Sequence, residues 1–345
     1  MKYVGVDLHK KCITLCVMVK VRGKRKVVAR RTLACSQPGQ IRAFFTSLGK
    51  FQVVVEATAS YEWFFRLLED LADRMVLAHP KKLRIIAESK HKSDKIDARI
   101  LAEFLALDMI PEAYRPSPRV REHRVLVRHR RSLLAKSTSI KCKLRQKLAY
   151  YNADIAGLFT QDGRKYLAEF KVSDADRFEI ETLCQQLELF QQQLKQVDHE
   201  LKVFAAKAPI HEREAREVLD TIPQIGVVTI DVLLSELGDW RRFRGAKQVV
   251  AYAGLDPGSR SSDKKRYDLH ISREGSPHLR WALIEAAWRV VNHLRRWGYI
   301  YEKLKRNTGS AKKAIVAVAR RLLCVMFAML RTGQRYRMSS EIHVA

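Results

Sequence analysis

Carboxylates are scarce in this chain: 37 Asp and Glu stand against 65 Lys and Arg, a formal net charge of +28. A surplus that large is a statement about partners rather than fold. It points to a polyanion, and nucleic acid fits best; a ribosome-like or merely basic soluble protein is the blander alternative. Cysteines are also few. Cys12, Cys16, Cys35, Cys142, Cys184 and Cys324 form no CxxC pair, which argues against a zinc site and for a reduced, intracellular chain. No long apolar run survives inspection: the best, residues 314–330, is broken by Arg320 and Arg321. It reads as a buried helix, not a membrane span. The N-terminus enters a strand directly, with no signal-peptide pattern. These absences together lead us to expect a cytoplasmic, nucleoid-associated protein with no membrane partner.

What is present is long enough, at 345 residues with 47% hydrophobic content, for two or three domains with sizeable cores. Tyr3 to Asp7 is a short apolar run ending in a carboxylate, and strands over residues 13–19 and 26–33 follow it across short connections. A helix from Pro38 to Leu48 comes next, then a strand from Phe51 to Glu56, again ending in an acid. A helix from Tyr61 to Arg74, a strand from Met75 to Ala78 closed by Pro80, and a helix running to about Leu107 complete the region. That last helix opens with Asp94 and Asp97, which share a face at i, i+3. Two like charges that close are costly without a cation between them, and oxygen ligands suit Mg²⁺. The order β-β-β-α-β-α-β-α is that of the ribonuclease H-like (RuvC-like) α/β fold. There, strands one and four are parallel neighbours, so Asp7 and Glu56 would lie side by side where α/β sheets bind ligands. Singly, each acid could be a strand-end, turn or N-cap residue.

A basic helix then begins at Ser117-Pro118. Between Arg119 and Lys147 its only acid is Glu122, and Arg124, Arg128, Arg131, Lys141 and Arg145 are candidate nucleic-acid contacts. Ile180, Leu183, Leu187, Phe190, Leu194, Val197, Leu201 and Phe204 repeat at heptad spacing. This coiled-coil seam could pair with the basic helix or with a second copy of the chain. Ile222-Pro223-Gln224-Ile225-Gly226 has the pattern of a helix-hairpin-helix turn, with Gly226 open to a phosphate; an ordinary tight turn is the alternative. Further on, a loop from Gly254 to Arg266 gathers serines among Arg260, Lys264, Lys265 and Arg266. Those cations could hold a phosphate against an activated serine. Trp281 and Trp288 read as core, and a long helix spans about Ser310 to Arg331. The expected domains are 1–112, α/β and catalytic; 113–208, basic helix and coiled coil; and 209–345, mainly α with the helix-hairpin-helix and the serine loop.

Taken together, Gly5-Val6-Asp7, Val55-Glu56-Ala57-Thr58, the run Asp94 to Arg99, Ile222 to Gly226, and Gly254-Leu255-Asp256-Pro257 through Ile271-Ser272-Arg273-Glu274-Gly275 resemble the insertion-sequence transposases with a DEDD motif. The resemblance spans nearly the whole chain. It implies a DNA recombinase that moves a mobile element. Asp7, Glu56, Asp94 and Asp97 would bind Mg²⁺, or Mn²⁺ in its place. The nucleophile would be Ser262, five residues after Pro257; the family has Gly next, where this chain has Asp263, and Ser261 stands immediately before. The resemblance further implies DNA ends and target DNA as substrates, a guide RNA encoded beside the gene, and a homo-oligomer, dimer or tetramer, with a composite active site. A metal-dependent Holliday-junction resolvase and a non-catalytic nucleic-acid-binding protein are the alternatives.

Overall fold

Apolar runs lay down the first two strands, β1 (Lys2–Leu8) and β2 (Cys12–Val21), and a half-buried alternation the third, β3 (Lys24–Ala34). Arg22 and Gly23 between the last two both take positive φ, 46° and 77°, as a turn matched to strand twist requires. There follow α1 (Pro38–Ser47), β4 (Phe51–Glu56), α2 (Tyr61–Leu68), β5 (Arg74–Ala78), α3 (Pro80–Ile86) and α4 (Asp94–Ala106). The computed structural model describes residues 1–58, 60–86, 94–262 and 265–337; for 84–86, 94–96, 259–262 and 265–269 it describes the backbone alone. The chain divides into two units, Met1–Arg115 and Pro116–Ala345.

In the first unit one sheet has the order β3-β2-β1-β4-β5. β1 pairs antiparallel with β2 and parallel with β4, and β4 parallel with β5. One face carries Val4, Val6, Ile13, Leu15, Val53 and Val55 against Phe45, Phe64 and Phe65 of α1 and α2. The other carries Tyr3, Val54 and Val76 against Leu101 and Leu105 of α4, and Cys16 and Met18 against Ala98 and Ala102. Strands covered on both faces read as continuous apolar runs, as β1 and β4 do. Two expected boundaries move. The helix from Tyr61 stops at Leu68, not Arg74, because Leu71 and Ala72 turn back to donate to the Leu68 carbonyl. Pro80 starts α3 as well as closing β5, since a first-turn position needs no N–H donor.

The second unit opens with α5 (Pro118–Tyr150), capped by the Ser117 side chain. Then come α6 (Gln161–Glu169), α7 (Asp174–Ala206), α8 (Ile210–Asp220), α9 (Val227–Leu237) and α10 (Ala246–Ala253). β6 (Pro257–Ser262), β7 (Lys265–Ile271), α11 (Pro277–His293), α12 (Arg295–Thr308) and α13 (Ala311–Thr332) complete it. The heptad seam finds its partner within the chain. Ile180, Leu183 and Leu187 bury against Ile140, Leu144 and Leu148 of α5. The pairing is antiparallel: Arg119 lies 4.0 Å over the Phe204 ring at one end, and Lys147 donates to Asp176 at 2.6 Å at the other. Val127, Leu133, Val197 and Leu201 continue into a cluster with Val232 and Ala282. Segments 113–208 and 209–345 therefore share one unit from Pro116 onward. The stretch read as a serine loop contains an antiparallel hairpin, β6 with β7. Trp288 is 37% exposed instead of core.

Gly5 fixes the depth of α4 on the sheet. A Cβ there would stand 2.1 Å from the Ala98 carbonyl oxygen and 2.4 Å from the Ala102 nitrogen. Gly5→Ala should therefore force α4 off β1 and destabilise the first unit by about 3 kcal/mol, the upper range for overpacking. Thermal unfolding of the variant would check this; an unchanged midpoint would mean that α4 does not pack as described.

Candidate functional site

Side chains alternate along a strand with period two. Tyr3 faces α4 and Gly5 abuts it, so Asp7 lies on the α4 side of β1. Val54 faces α4 likewise, which puts Glu56 on the same side of β4. The parallel register pairs Val6 with Val55. Asp7 and Glu56 are the next residue on each strand, so they are neighbours at the carboxyl end of the sheet. The α4 helix crosses Gly5 at Ala98 and Ala102 and reaches the Tyr3 side with Leu105. It thus runs opposite to β1, and its first turn, holding Asp94 and Asp97, comes at the Asp7 end. Asp97 is half-buried; the Asp94 side chain and residues 91–93 lie outside the described ones. His9, which sequence reading missed, sets its Nε2 3.0 Å from Asp7 Oδ2. Its i, i+2 spacing from Asp7 was the available signal.

This edge offers carboxylate oxygens from three separate segments, a donor set whose chemistry fits Mg²⁺ or Mn²⁺. Among the described residues no three His, Cys, Asp or Glu side chains close into a metal-holding group. Asp7 and Glu56 are the adjacent pair, and Asp97 is half-buried, immediately before the Ala98 contact with Gly5.

The second candidate is the β6–β7 hairpin. Its base is clamped by backbone touching backbone. A Cβ on Gly275 would lie 1.9 Å from the Tyr252 carbonyl oxygen, and one on Gly254, at φ +66°, 2.7 Å from the Gly275 nitrogen. Arg280 Nη1 donates to the Ala253 and Gly275 carbonyls at 3.1 and 2.7 Å, and the Ser272 hydroxyl donates to Asp256. At the far end the register pairs Ser262 with Lys265, Ser261 with Arg266 and Arg260 with Tyr267. Both serines thus stand opposite cationic residues beside the tip, and Asp263 and Lys264 fall outside the described residues.

The basic helix has anions inside its own fold, which the sequence reading did not foresee. Arg128 forks onto Glu236 of α9 at 2.8 and 2.9 Å, and Glu236 is 1% exposed. Arg124 donates to the Ser235 and Glu236 carbonyls at 2.7 and 2.8 Å. Arg131 donates to His278 Nδ1 at 2.8 Å. Arg145 pairs with Asp154 at 3.1 Å, and Lys141 lies 5.2 Å over the Phe159 ring. Deeper in, Asp231 takes Arg216 at 2.7 Å and His123 at 3.0 Å, while Glu212 takes Arg119 and Arg216. Burial would raise the carboxyls of Glu212 and Glu236; the arginines against them win, and both sit below their ordinary 4.5.

Between α8 and α9 the turn takes Gln224 to φ +68°. Gly226 caps α9 at φ −91°, and a Cβ there would meet nothing within 4 Å. Neither backbone nor packing calls for glycine at this point.

Comparison with known proteins gives two family matches. The DEDD-motif family described as "Transposase" matches residues 4–153. The one described as "Transposase IS116/IS110/IS902 family" matches residues 216–302. The chain is 24% identical to the transposase for insertion sequence element IS1111A of Coxiella burnetii, over 97% of this chain and 91% of that one. It is 25% identical to the pilin gene-inverting protein of Moraxella bovis, over 97% of each. No described helix is long and apolar enough to cross a membrane.

Two stability outcomes follow from the buried acids. Depressed carboxyls contribute stability that is present above about pH 4.5 and lost as pH falls through their lower folded values. Thermal unfolding across that acid range should fall steeply for the wild type and less steeply for Glu236→Gln. At neutral pH, Asp231→Ala should cost about 3–5 kcal/mol, because it strands buried His123 and Arg216. Glu236→Ala should cost about 2 kcal/mol, since Arg128 is 45% exposed and can turn to water. Equal losses would contradict this ranking.

Proposed function

The chain belongs to the DEDD-motif insertion-sequence transposases, enzymes that cleave and rejoin DNA, and from that premise we propose that it exchanges strands at the ends of a mobile element with Ser262 as nucleophile. The first unit, in this reading, is a ribonuclease H-like (RuvC-like) domain. The observation that carries it is the parallel pairing of β1 with β4, which end together in Asp7 and Glu56 with the start of α4 alongside. Asp7, Glu56, Asp94 and Asp97 would hold Mg²⁺, or Mn²⁺ in its place. Bound there, the ion would supply electrostatic stabilisation to a phosphoryl centre.

The residues of the chain have distinct tasks. Asp7 and Glu56 stand side by side at the carboxyl end of the sheet, and His9 orients the Asp7 carboxylate through its 3.0 Å contact. The Ser262 oxygen forms a bond to a DNA phosphorus while the bond from that phosphorus to a sugar oxygen breaks. The proton that the serine releases is balanced by the one the sugar oxygen takes up. Arg260, Lys264, Lys265 and Arg266 surround the serine in sequence and favour an approaching phosphate. The Ile222–Gly226 turn is a helix-hairpin-helix element; glycine at 226 suits a DNA backbone that comes closer than a side chain would allow. Outer cations of α5, with Lys141 and Arg145 among them, bind nucleic acid, including a guide RNA. The working form is a dimer or tetramer. Since the α7 seam is filled by α5, the contact between copies uses another face.

Incubation of the protein with element-end DNA, Mg²⁺ and flanking RNA should give a denaturation-resistant protein–DNA adduct. Ser262→Ala should abolish it, and Asp7→Asn should reduce it at least about a hundredfold. An adduct lost only in Ser261→Ala would move the nucleophile by one residue. Strand cleavage with no adduct in the wild type would favour a resolvase using water. Gly226→Ser, which keeps a favourable N-cap, should leave the unfolding midpoint unchanged and weaken DNA binding about tenfold; unaltered binding would remove the hairpin from the DNA interface.

A further inference from the structure

One cleft in the second unit belongs to none of the motifs above. It lies between α12, α13 and the chain just after α13, and it encloses about 600 Å³. That size suits a small ligand or one unit of a polymer. Arg320 and Arg321 of α13 and Arg335 and Arg337 beyond it line the cleft, together with Arg296 of α12. Ile300, Cys324, Val325 and Ala328 give it an apolar floor. No described residue lining it is acidic.

The contrast with α5 decides what this means. There, Arg119, Arg128, Arg130 and Arg145 face carboxylates held in the fold. Here, Arg320, Arg321, Arg335 and Arg337 have no carboxylate partner among the described residues. Cations grouped around one concavity repel each other until an anion enters. The segment bearing two of them is also fixed in place. Tyr336 accepts a hydrogen bond from Trp297 Nε1 at 3.0 Å through its hydroxyl, and its backbone N–H donates to Thr221 Oγ1 at 2.9 Å. The arginine ring is thus part of the folded unit.

We propose that this cleft receives one unpaired nucleotide of a nucleic-acid strand, with its base on the apolar floor and its flanking phosphates on the arginines. Guanidinium forks match phosphate oxygens, and a flat base covers apolar surface whatever its identity. An acidic protein segment would satisfy the charge but would leave the floor without a matching group. The proposal rests on the reading of the chain as an enzyme acting on nucleic acid, and it adds a place where a strand is held open.

The test uses the full-length protein and three labelled single strands: DNA, RNA, and a DNA strand with abasic sugars throughout. Arg321→Ala with Arg335→Ala should weaken binding of all three about tenfold, and the matching lysine pair should retain affinity within about threefold. Ala328→Trp, which fills the floor, should weaken the two base-carrying strands and leave the abasic one unchanged. Tighter binding of DNA or of RNA identifies which strand occupies the cleft. On the wild type, photocrosslinks from thio-substituted bases should fall in α12 or α13, a readout that needs no variant to fold. Salt-sensitive binding that none of these substitutions alters, with crosslinks elsewhere, would overturn the cleft and leave the proposed function standing. Polyglutamate that binds as tightly and is lost in the same variants would replace the nucleotide with an acidic protein partner. A wild type that binds no strand at all would sink both readings.

Discussion

Backbone contact between Gly5 and α4 is the constraint on which the candidate acidic site depends. With no side chain at Gly5, the helix comes down until its Ala98 carbonyl occupies the space a Cβ would fill. That depth lets Leu101 and Leu105 bury against Val54 and Val76, at about 2 kcal/mol for each leucine. It also brings the first turn of α4 to the ends of β1 and β4. Carboxylates drawn together repel, so nothing in their own interaction holds them. The apolar packing a turn away does so, which makes a buried Ala and Leu surface the support of a charged edge.

The second unit solves the reverse problem. It must fold around a helix that is almost wholly cationic outside its apolar stripe. It does so by burying acids rather than spreading them. Glu236 and Asp231 of α9 and Glu212 of α8 are all largely shielded, and each serves arginines from α5 or α8. Acids spent inside cannot offset the outward charge. Each of those acids is matched by an arginine, so the surplus of bases left outside stays close to the total, while Arg124 and Arg128 themselves are committed to the fold. Nucleic acid would meet the remaining cations, and salt would weaken that encounter more than it weakens the shielded pairs.

Much of the first unit was legible because its signals are local. Strand runs, the turn at Arg22-Gly23 and the acids at strand ends all lie within a few residues of one another. Parallel pairing of β1 with β4 followed from the order of elements. The ends of helices were less legible: nothing in Leu67 to Arg74 announces that Leu71 turns back to Leu68. The hairpin after Gly254 was hidden by composition, since β6 is Pro-Gly-Ser-Arg-Ser-Ser and carries no apolar alternation. The α12 helix did leave a trace in Trp297, Ile300, Tyr301 and Leu304, at helical spacing. Partners of the α5 arginines were illegible for a different reason. Ion pairs join Arg119 to Glu212 across 93 positions and Arg128 to Glu236 across 108, and a charge pattern within one helix does not name its distant counterion.

The glycines show how sequence and structure divide the labour. Gly5, Gly254 and Gly275 are demanded by the fold, because another backbone already fills the place of a Cβ. Gly226 is not, because that place is open. Glycine is among the residues that suit an N-cap, so the start of α9 is a local reason for it. Its open side lies ahead of the free N–H groups of α9. The same reasoning separates the two ends of the serine hairpin. Its base is locked by glycine contacts and Arg280, and toward its tip the register sets two serines opposite cationic residues. Glycine is thus spent where backbones meet, and the serines and cations stand at the other end of the hairpin, away from that clamp.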